Sequence, residues 1–187
     1  MNTRFDLFVT SIAGLQVLQR NPIGDTRGYL ERLFCAEELQ ALIPGKYIAQ
    51  INHTLTVACG TVRGMHFQYP PHGEVKFVSC LRGEVFDVAV DLRHNSPTFL
   101  CWHAERLSAE NRKTLVIPEG FAHGFQTLTG DCEMLYAHTA AYQSSAEGGL
   151  HVQDPRLAIQ WPLPITGLSP RDAALPFLSK DFHGVAT

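Results

Sequence analysis

Between residues 48 and 139 the sequence is a succession of eight short runs rich in aliphatic, β-branched and aromatic residues. Turn-forming segments such as Arg82-Gly83, Asn95-Ser96-Pro97 and Gly130-Asp131 separate these runs. Many short strands without alternating long helices are typical of an antiparallel sandwich or barrel, so the sequence predicts an all-β jelly roll. The predicted strands cover residues 48–56, 61–68, 76–82, 85–92, 98–107, 113–117, 123–128 and 132–139.

The flanking segments add two strands and two short helices to this prediction. Strands are expected at residues 12–18 and 25–34, and a helix at 36–42 that Pro44-Gly45 ends. Ser169 and Pro170 have the residue types of an N-cap and a first helical position. We find no repeat or linker, so residues 1–187 are predicted to form one domain, with the tail from 143 to 187 packed on it.

Composition excludes several functions. The net charge is -3, only 18% of residues are charged, and no basic face is apparent, so a nucleic-acid partner is not expected. Arg4 and Asp6 interrupt the apolar run at the N-terminus, and no stretch reaches membrane-spanning length, which predicts no membrane association and a cytoplasmic location. Five cysteines without a C-x-x-C pair indicate free, buried thiols rather than disulfides or a zinc site.

One predicted strand, T-V-R-G-M-H-F-Q at residues 61–68, carries chemistry. Regular alternation would place Val62, Gly64, His66 and Gln68 on one face of the strand. The side chains of His66 and Gln68 would then face the same cavity. The following turn contains two prolines and a glycine, and would bring Lys76 alongside. A base and a cation would then face one cavity, although a single histidine in a strand is often only a hydrogen-bonded structural residue.

A second motif begins at Pro118 and runs P-x-G-x-x-H to His123, as the second motif of the cupin jelly rolls does. That resemblance implies a histidine pointing into the barrel, which is either catalytic or hydrogen-bonded in the interior. Cupin metal sites need an H-x-H pair, but Gln68 stands at the second position, and His66, His123 and Glu74 would make a poor set of ligands. No metal is therefore expected.

Two further residues have equally plain structural interpretations. Tyr136 shares a predicted strand face with Met134 and His138, where a tyrosine commonly serves packing. Asp172 lies near a predicted helix start, where the helix dipole favours an acidic residue.

Taken together, these segments resemble the dTDP-4-dehydrorhamnose 3,5-epimerase family in order and spacing over nearly the whole chain. The resemblance implies a cupin-type jelly roll and a homodimer that exchanges N-terminal strands within about residues 1–35. It implies no metal or other cofactor, and epimerisation of a nucleotide-linked 4-keto-6-deoxyhexose at C3, C5 or both. The matching segments include 25–34, 50–54, 60–68, 83–93, 107–111, 117–125, 159–162 and 168–172.

The resemblance also implies roles for individual residues. His66 would be the base, Asp172 its orienting partner, Lys76 the cation at the enolate oxygen, and Tyr136 the acid on the other face. The positions matching substrate contacts near the sugar, the phosphates or the nucleotide are Arg27, Gln50, Asn52, Arg63, His123, Tyr142 and Arg171.

The departures from the family pattern concern substrate recognition. Arg32 occupies the position of a family glutamate, with Glu31 shifted by one, and Ala137 follows Tyr136 in place of a common lysine. An arginine offers fixed donors where a carboxylate accepts, so the nucleotide remains open among dTDP, CDP and GDP. The alternatives are a sugar-nucleotide binding protein without turnover and a metal-dependent cupin oxygenase or isomerase.

Overall fold

A computed structural model describes residues 3–187 and confirms the all-β prediction. Two short α-helices and two 3-10 turns accompany the strands. Within residues 3–187 the elements are β1 (Phe5–Val9), β2 (Gln16–Arg20), β3 (Ile23–Asp25), β4 (Gly28–Leu30), α1 (Ala36–Leu39), a 3-10 turn (Gln40–Leu42), β5 (Gln50–Thr56), β6 (Val62–Gln68), β7 (Lys76–Arg82), β8 (Glu84–Asp91), β9 (Trp102–Ser108), β10 (Lys113–Ile117), β11 (Phe121–Thr127), β12 (Cys132–His138), a 3-10 turn (Ser144–Ala146), β13 (Glu147–Gly149) and α2 (Pro170–Ala173).

The strands form two main antiparallel sheets. The six-stranded sheet has the order β1-β2-β10-β7-β12-β5, and the five-stranded sheet has the order β13-β6-β11-β8-β9. Apolar side chains from both sheets meet in one cluster, which includes Val78 and Met134 from the first and Ala89 and Phe125 from the second. The sheets therefore face each other across a common core, as the jelly-roll prediction requires.

Two further apolar clusters cover the outer faces of the sheets. Leu150, Val152, Leu157 and Leu178 from the C-terminal segment pack on the five-stranded sheet. Leu39 and Ile43, from the helical segment after β4, pack on the six-stranded sheet. The segment from 143 to 187 thus contributes to a core on the same barrel.

The helix signals were placed accurately. The predicted helix at 36–42 is α1 followed directly by a 3-10 turn. Ser169 caps α2, since its Oγ accepts a hydrogen bond from the Asp172 N–H at 3.0 Å, and Pro170 is the first helical residue. This cap fixes the backbone at Asp172.

The regular alternation predicted for β6 is wrong. Opposite it, His123 pairs with His66 and Phe125 with Arg63, so one residue of β11 faces two of β6. At this bulge Gly64 has φ +128°, and a Cβ there would lie 2.5 Å from Gly124 Cα. As a result Arg63 and His66 line the same pocket, and Gln68 instead donates to the carbonyls of His72 and Ala141.

The N-terminal region differs from its prediction. The expected strand at 25–34 is a hairpin of β3 and β4 separate from both main sheets, and β1 was not predicted. The first two residues of the predicted domain lie outside the described residues. All five cysteines are free thiols, but Cys59 and Cys101 are exposed, so the prediction that they are buried is wrong for these two. In residues 3–187 no helix is long and apolar enough to cross a membrane.

Candidate active site

A cavity of about 470 Å³ opens between the two sheets at one end of the barrel, a size typical of small-molecule sites. β6 and β11 form one wall, β5, β7 and β12 the other, and the segment around α2 lies along its rim. The residues that line it are Asn52, Thr54, Thr61, Val62, Arg63, His66, Lys76, His123, Phe125, Tyr136, His138, Gly167, Leu168, Ser169, Arg171 and Asp172.

His66 and Asp172 form a hydrogen-bonded pair in this pocket. His66 Nε2 lies 2.8 Å from Asp172 Oδ1, and the carboxylate is almost fully buried. A carboxylate only accepts, so Nε2 carries the proton and Nδ1 is left as the basic nitrogen. Burial lowers the pKa of His66 below its ordinary value, Asp172 partly offsets this, and Lys76 and Arg171 lower the pKa further. The ring is therefore in its neutral, basic form at neutral pH.

Asp172 reaches His66 from 106 residues further along the chain. The Ser169 cap sets its backbone, and its second oxygen, Oδ2, accepts the Gly64 N–H at 3.4 Å. The irregular part of β6 thus carries both the His66 ring and the Gly64 N–H, and the Asp172 carboxylate accepts a hydrogen bond from each.

Lys76 begins β7 and is 7% exposed. Its ammonium donates to the His66 carbonyl at 3.3 Å and lies 3.2 Å from Glu74 Oε1. Because an ammonium has three N–H donors, one remains for a ligand in the pocket. Burial alone would raise the pKa of Glu74, but hydrogen bonding from His138 and the charge of Lys76 outweigh it and hold that pKa below its ordinary value.

His123 stands beside His66 on the neighbouring strand. Its Nε2 lies 3.0 Å from each oxygen of Asp87, a fully buried carboxylate on β8. Burial raises the pKa of Asp87, and the contact with His123 opposes this shift. The pair combines the two interpretations of His123, since the ring lines the pocket and is also hydrogen-bonded in the interior.

Tyr136 lies on the opposite wall from His66. Its ring meets the His123 ring edge-on, with the centroids 6.1 Å apart, and packs against the core between the sheets. Burial raises the pKa of the Tyr136 phenol, so its hydroxyl remains protonated. A neutral base on one wall and a protonated acid on the other therefore face a single cavity.

The pocket brings together eight of the eleven residues singled out in the sequence. Besides His66, Asp172, Lys76, Tyr136 and His123, these are Arg63, Asn52 and Arg171. Arg63 spans the two walls, since its Nε donates to Thr56 Oγ1 at 2.9 Å on β5.

The other three residues do not line the pocket of their own chain. Arg27 lies on the β3–β4 hairpin beside Asp25, with its side chain 87% exposed. Tyr142 is exposed and donates from its hydroxyl to Glu147 at 2.9 Å. Gln50 accepts a hydrogen bond from the Tyr142 backbone N–H and donates one to Asn52. Gln50 therefore contacts a residue that lines the pocket but does not line the pocket itself.

Sequence reasoning gave no role in proton transfer or substrate binding to four polar residues at or behind the pocket, although Glu74 was considered as a metal ligand. Asp87 holds His123 and Glu74 holds Lys76, while Thr54 and His138 line the cavity itself. The Thr54 hydroxyl oxygen is buried without a hydrogen-bond partner among the described residues. A signal existed for His138, which lies two residues from Tyr136 on one strand, and for Asp87, a carboxylate inside an apolar strand.

The histidines of the two cupin-type motifs, His66 and His123, each contact a carboxylate through Nε2, that of Asp172 and that of Asp87. In the part of the chain that is described, no three His, Cys, Asp or Glu side chains converge as metal ligands. The residues around the cavity could support proton transfer next to a carbonyl, since they include a neutral histidine with an orienting carboxylate, a cation and a protonated tyrosine.

A jelly-roll barrel with these groups around one cavity has the features that an acid–base isomerase needs. The family model described as dTDP-4-dehydrorhamnose 3,5-epimerase matches residues 9–180. The chain belongs to the dTDP-4-dehydrorhamnose 3,5-epimerase family.

Individual relatives agree with this assignment. The dTDP-4-dehydrorhamnose 3,5-epimerase of Salmonella typhimurium is 42% identical over 91% of this chain and 94% of its own. A dTDP-4-dehydrorhamnose 3-epimerase of Streptomyces niveus is 44% identical over 67% of this chain and 60% of its own. The crystal structure of a dTDP-6-deoxy-D-glucose-3,5-epimerase of Legionella pneumophila, in complex with dTDP-4-keto-L-rhamnose, has a TM-score of 0.87 and 38% identity, covering 92% of each chain.

Proposed function

We propose that this protein epimerises a dTDP-linked 4-keto-6-deoxyhexose at C3, C5 or both, without a metal or other cofactor. The observation that carries the proposal is the position of the His66–Asp172 pair and Tyr136 on opposite walls of one pocket, with Lys76 lining the same pocket. Inversion at carbon requires removal of a proton from one face and its return on the other, which these two walls provide.

The reaction balances with the groups present. His66 Nδ1 takes the proton next to the ketone, the C–H electron pair forms the enolate double bond, and the negative charge moves to the carbonyl oxygen. The Lys76 ammonium stabilises that oxygen, and Asp172 stabilises the imidazolium. Tyr136 then donates its proton to the carbon from the opposite face, the ketone re-forms, and proton exchange with solvent restores both residues.

Proton NMR in deuterated water, with dTDP-4-keto-6-deoxyglucose, tests the proposal. Loss of both the C3 and C5 signals is expected of a 3,5-epimerase, and loss of one defines a mono-epimerase. Exchange only with CDP or GDP analogues would revise the nucleotide. Tight binding of the nucleotide sugar without exchange at either carbon would replace the proposal with a binding protein.

The pH dependence of activity should identify Asp172 as the partner of the base. Asp172→Asn should lower turnover by about 100-fold or more, because the amide has no negative charge and only one accepting oxygen. If that oxygen accepts the Gly64 N–H, the NH₂ group faces His66 and favours the wrong tautomer. The residual activity of this variant should persist to lower pH than in the wild type, since the carboxylate raises the pKa of His66 and only the neutral ring accepts a proton. Rate profiles over pH for both proteins give the measurement, and an unchanged or higher acid midpoint would contradict the assignment.

We also propose a homodimer built around the N-terminal residues up to about 35. The β3–β4 hairpin lies outside both main sheets and exposes Ile23, Tyr29 and Leu30, an apolar surface suited to a second copy. The same hairpin carries Arg27, whose side chain is 87% exposed and paired with Asp25, and in a dimer this arginine would lie near the partner's pocket. Light scattering should give twice the chain mass, and a monomer at micromolar concentration would contradict the proposal.

A cytoplasmic location forms part of the proposal. It is supported by the free thiols, two of them exposed, which suit a reducing compartment.

A further inference from the structure

Glu74 lies behind the pocket between two groups that both face the substrate cavity. Its Oε2 is 2.8 Å from His138 Nδ1, and its Oε1 is 3.2 Å from Lys76 Nζ. The side chains of all three are nearly buried, with exposed fractions of 10%, 12% and 9% for Glu74, His138 and Lys76. A buried carboxylate held by two donors is fixed in both position and rotation.

The contact with Glu74 determines which nitrogen of His138 carries a proton. At 2.8 Å from a carboxylate oxygen, which can only accept, Nδ1 must be an N–H donor. The other nitrogen, Nε2, lies 3.5 Å from Asn52 Nδ2. If that amide nitrogen donates, Nε2 is an acceptor and the ring is neutral.

The orientation of Asn52 is fixed from the other end of the same chain of hydrogen bonds. The Tyr142 backbone N–H donates to Gln50 Oε1 at 3.0 Å, which leaves Gln50 Nε2 as the donor to Asn52 Oδ1 at 3.1 Å. Asn52 therefore presents its NH₂ group to His138. The donors run in one direction, from the Tyr142 backbone through two amides and one imidazole to Glu74.

Lys76 is the last member of this network, and its ammonium also donates to the carbonyl of His66, the proposed base. Two of its three N–H groups are used, by Glu74 and by the His66 carbonyl. With these two contacts made, the third N–H is left for a ligand in the pocket that Lys76 lines. We propose that Glu74 and His138 are positioning residues that hold the Lys76 ammonium at the carbonyl oxygen of the substrate, with His138 as the neutral Nδ1–H tautomer.

This inference rests on the proposed epimerase function, in which Lys76 meets the enolate oxygen. If the Lys76 ammonium is displaced, the substrate binds about as well but the enolate is stabilised less. Loss of this positioning should therefore lower kcat and leave KM nearly unchanged.

The chain offers a matched control for Glu74. Glu105 also bridges a histidine and a lysine, with Nε2 of His103 at 3.4 Å and Nζ of Lys113 at 2.6 Å, but it lies on β9, outside the pocket. Glu74→Gln and Glu105→Gln each remove one carboxylate charge from a histidine–lysine pair. Only the first should affect chemistry.

The kinetic test follows deuterium exchange at the carbons next to the ketone. Glu74→Gln should slow exchange by about 10–100-fold with KM nearly unchanged, and Glu105→Gln should behave as the wild type. Equal rates for Glu74→Gln and Glu105→Gln, or a change confined to KM, would overturn the proposal. Thermal unfolding of both variants separates loss of fold from loss of positioning.

Substitutions of His138 test its hydrogen bond apart from its packing, since its ring also stacks on Tyr136 with centroids 6.2 Å apart. His138→Asn places an N–H donor where Nδ1 was and should retain most of the exchange rate. His138→Ala lacks the donor and should lose about tenfold or more. If both variants lose the same activity, stacking rather than the contact with Glu74 is what matters.

A spectroscopic measurement decides the geometry without turnover. Nitrogen-15 NMR of the wild type should show His138 as the Nδ1–H tautomer and a Lys76 ammonium protected from solvent exchange, and Glu74→Gln should lose that protection. An Nε2–H tautomer, or an unprotected Lys76, would overturn the inference. Wild-type protein that shows both signals but exchanges no substrate proton would contradict the proposed function and leave the network standing.

Discussion

His66→Ala should lower the exchange of the C3 and C5 hydrogens for deuterium by about 10²–10⁴-fold, the range associated with loss of a general base. The reason lies in the pair with Asp172, 2.8 Å away, which leaves Nδ1 as the basic nitrogen facing the pocket. Alanine removes that nitrogen and leaves the buried carboxylate without its main side-chain partner. Both carbons should be affected if one base serves both.

Binding and folding provide the controls for this variant. Calorimetric titration with dTDP should give an affinity close to that of the wild type, because His66 is assigned to the sugar carbons rather than to the nucleotide. His183→Ala, an exposed histidine outside the pocket, should exchange protons at the wild-type rate. Wild-type exchange in His66→Ala would remove this residue from the mechanism.

Tyr136→Phe should separate exchange from inversion. The base His66 and its partner Asp172 remain intact, so the substrate proton is still removed. His66 then exchanges that proton for deuterium from the solvent and returns the deuterium to the same face of the sugar. Net inversion should fall by about 10²–10³-fold, since phenylalanine has no proton to deliver from the opposite wall. Deuterium content by mass spectrometry and product configuration by NMR, measured on the same samples, give the two rates.

The ratio of these rates is the decisive quantity. Equal slowing of exchange and inversion would show that Tyr136 does not act as the second-face acid. Tyr69→Phe removes a hydroxyl from a tyrosine that stacks edge-on against Phe67 outside the pocket, and both of its rates should be those of the wild type.

Strand positions were predictable because both main sheets bury one face against a common core, which imposes apolar runs of strand length. β7 and β10 have the predicted boundaries, Lys76–Arg82 and Lys113–Ile117. β1 was missed because its residues 7–9 are exposed and carry no burial pattern. The bulge in β6 was not predictable either, because it depends on the close approach of Gly124 from another strand.

The candidate site, like the fold, was predicted in part from the sequence. Residue types and the family resemblance led to His66, Lys76, Tyr136 and Asp172, which all line one cavity. Glu74 and Asp87, which hold Lys76 and His123, were not assigned these roles from the sequence. The contact of Glu74 with His138 spans 64 residues of sequence, and that of Asp87 with His123 spans 36, so both depend on how the strands pair. Arg27 lies on a hairpin outside the cavity of its own chain, so its predicted contact with the substrate depends on the proposed homodimer.

The long separation between His66 and Asp172 makes the last part of the chain a condition for catalysis. Both sheets are complete by Gly149, but the base gains its carboxylate only when the segment carrying residue 172 has docked. If this segment detaches locally, the barrel stays folded while His66 loses its orientation and charge partner. Loss of activity on heating would then follow the local opening of this C-terminal segment rather than complete unfolding of the barrel.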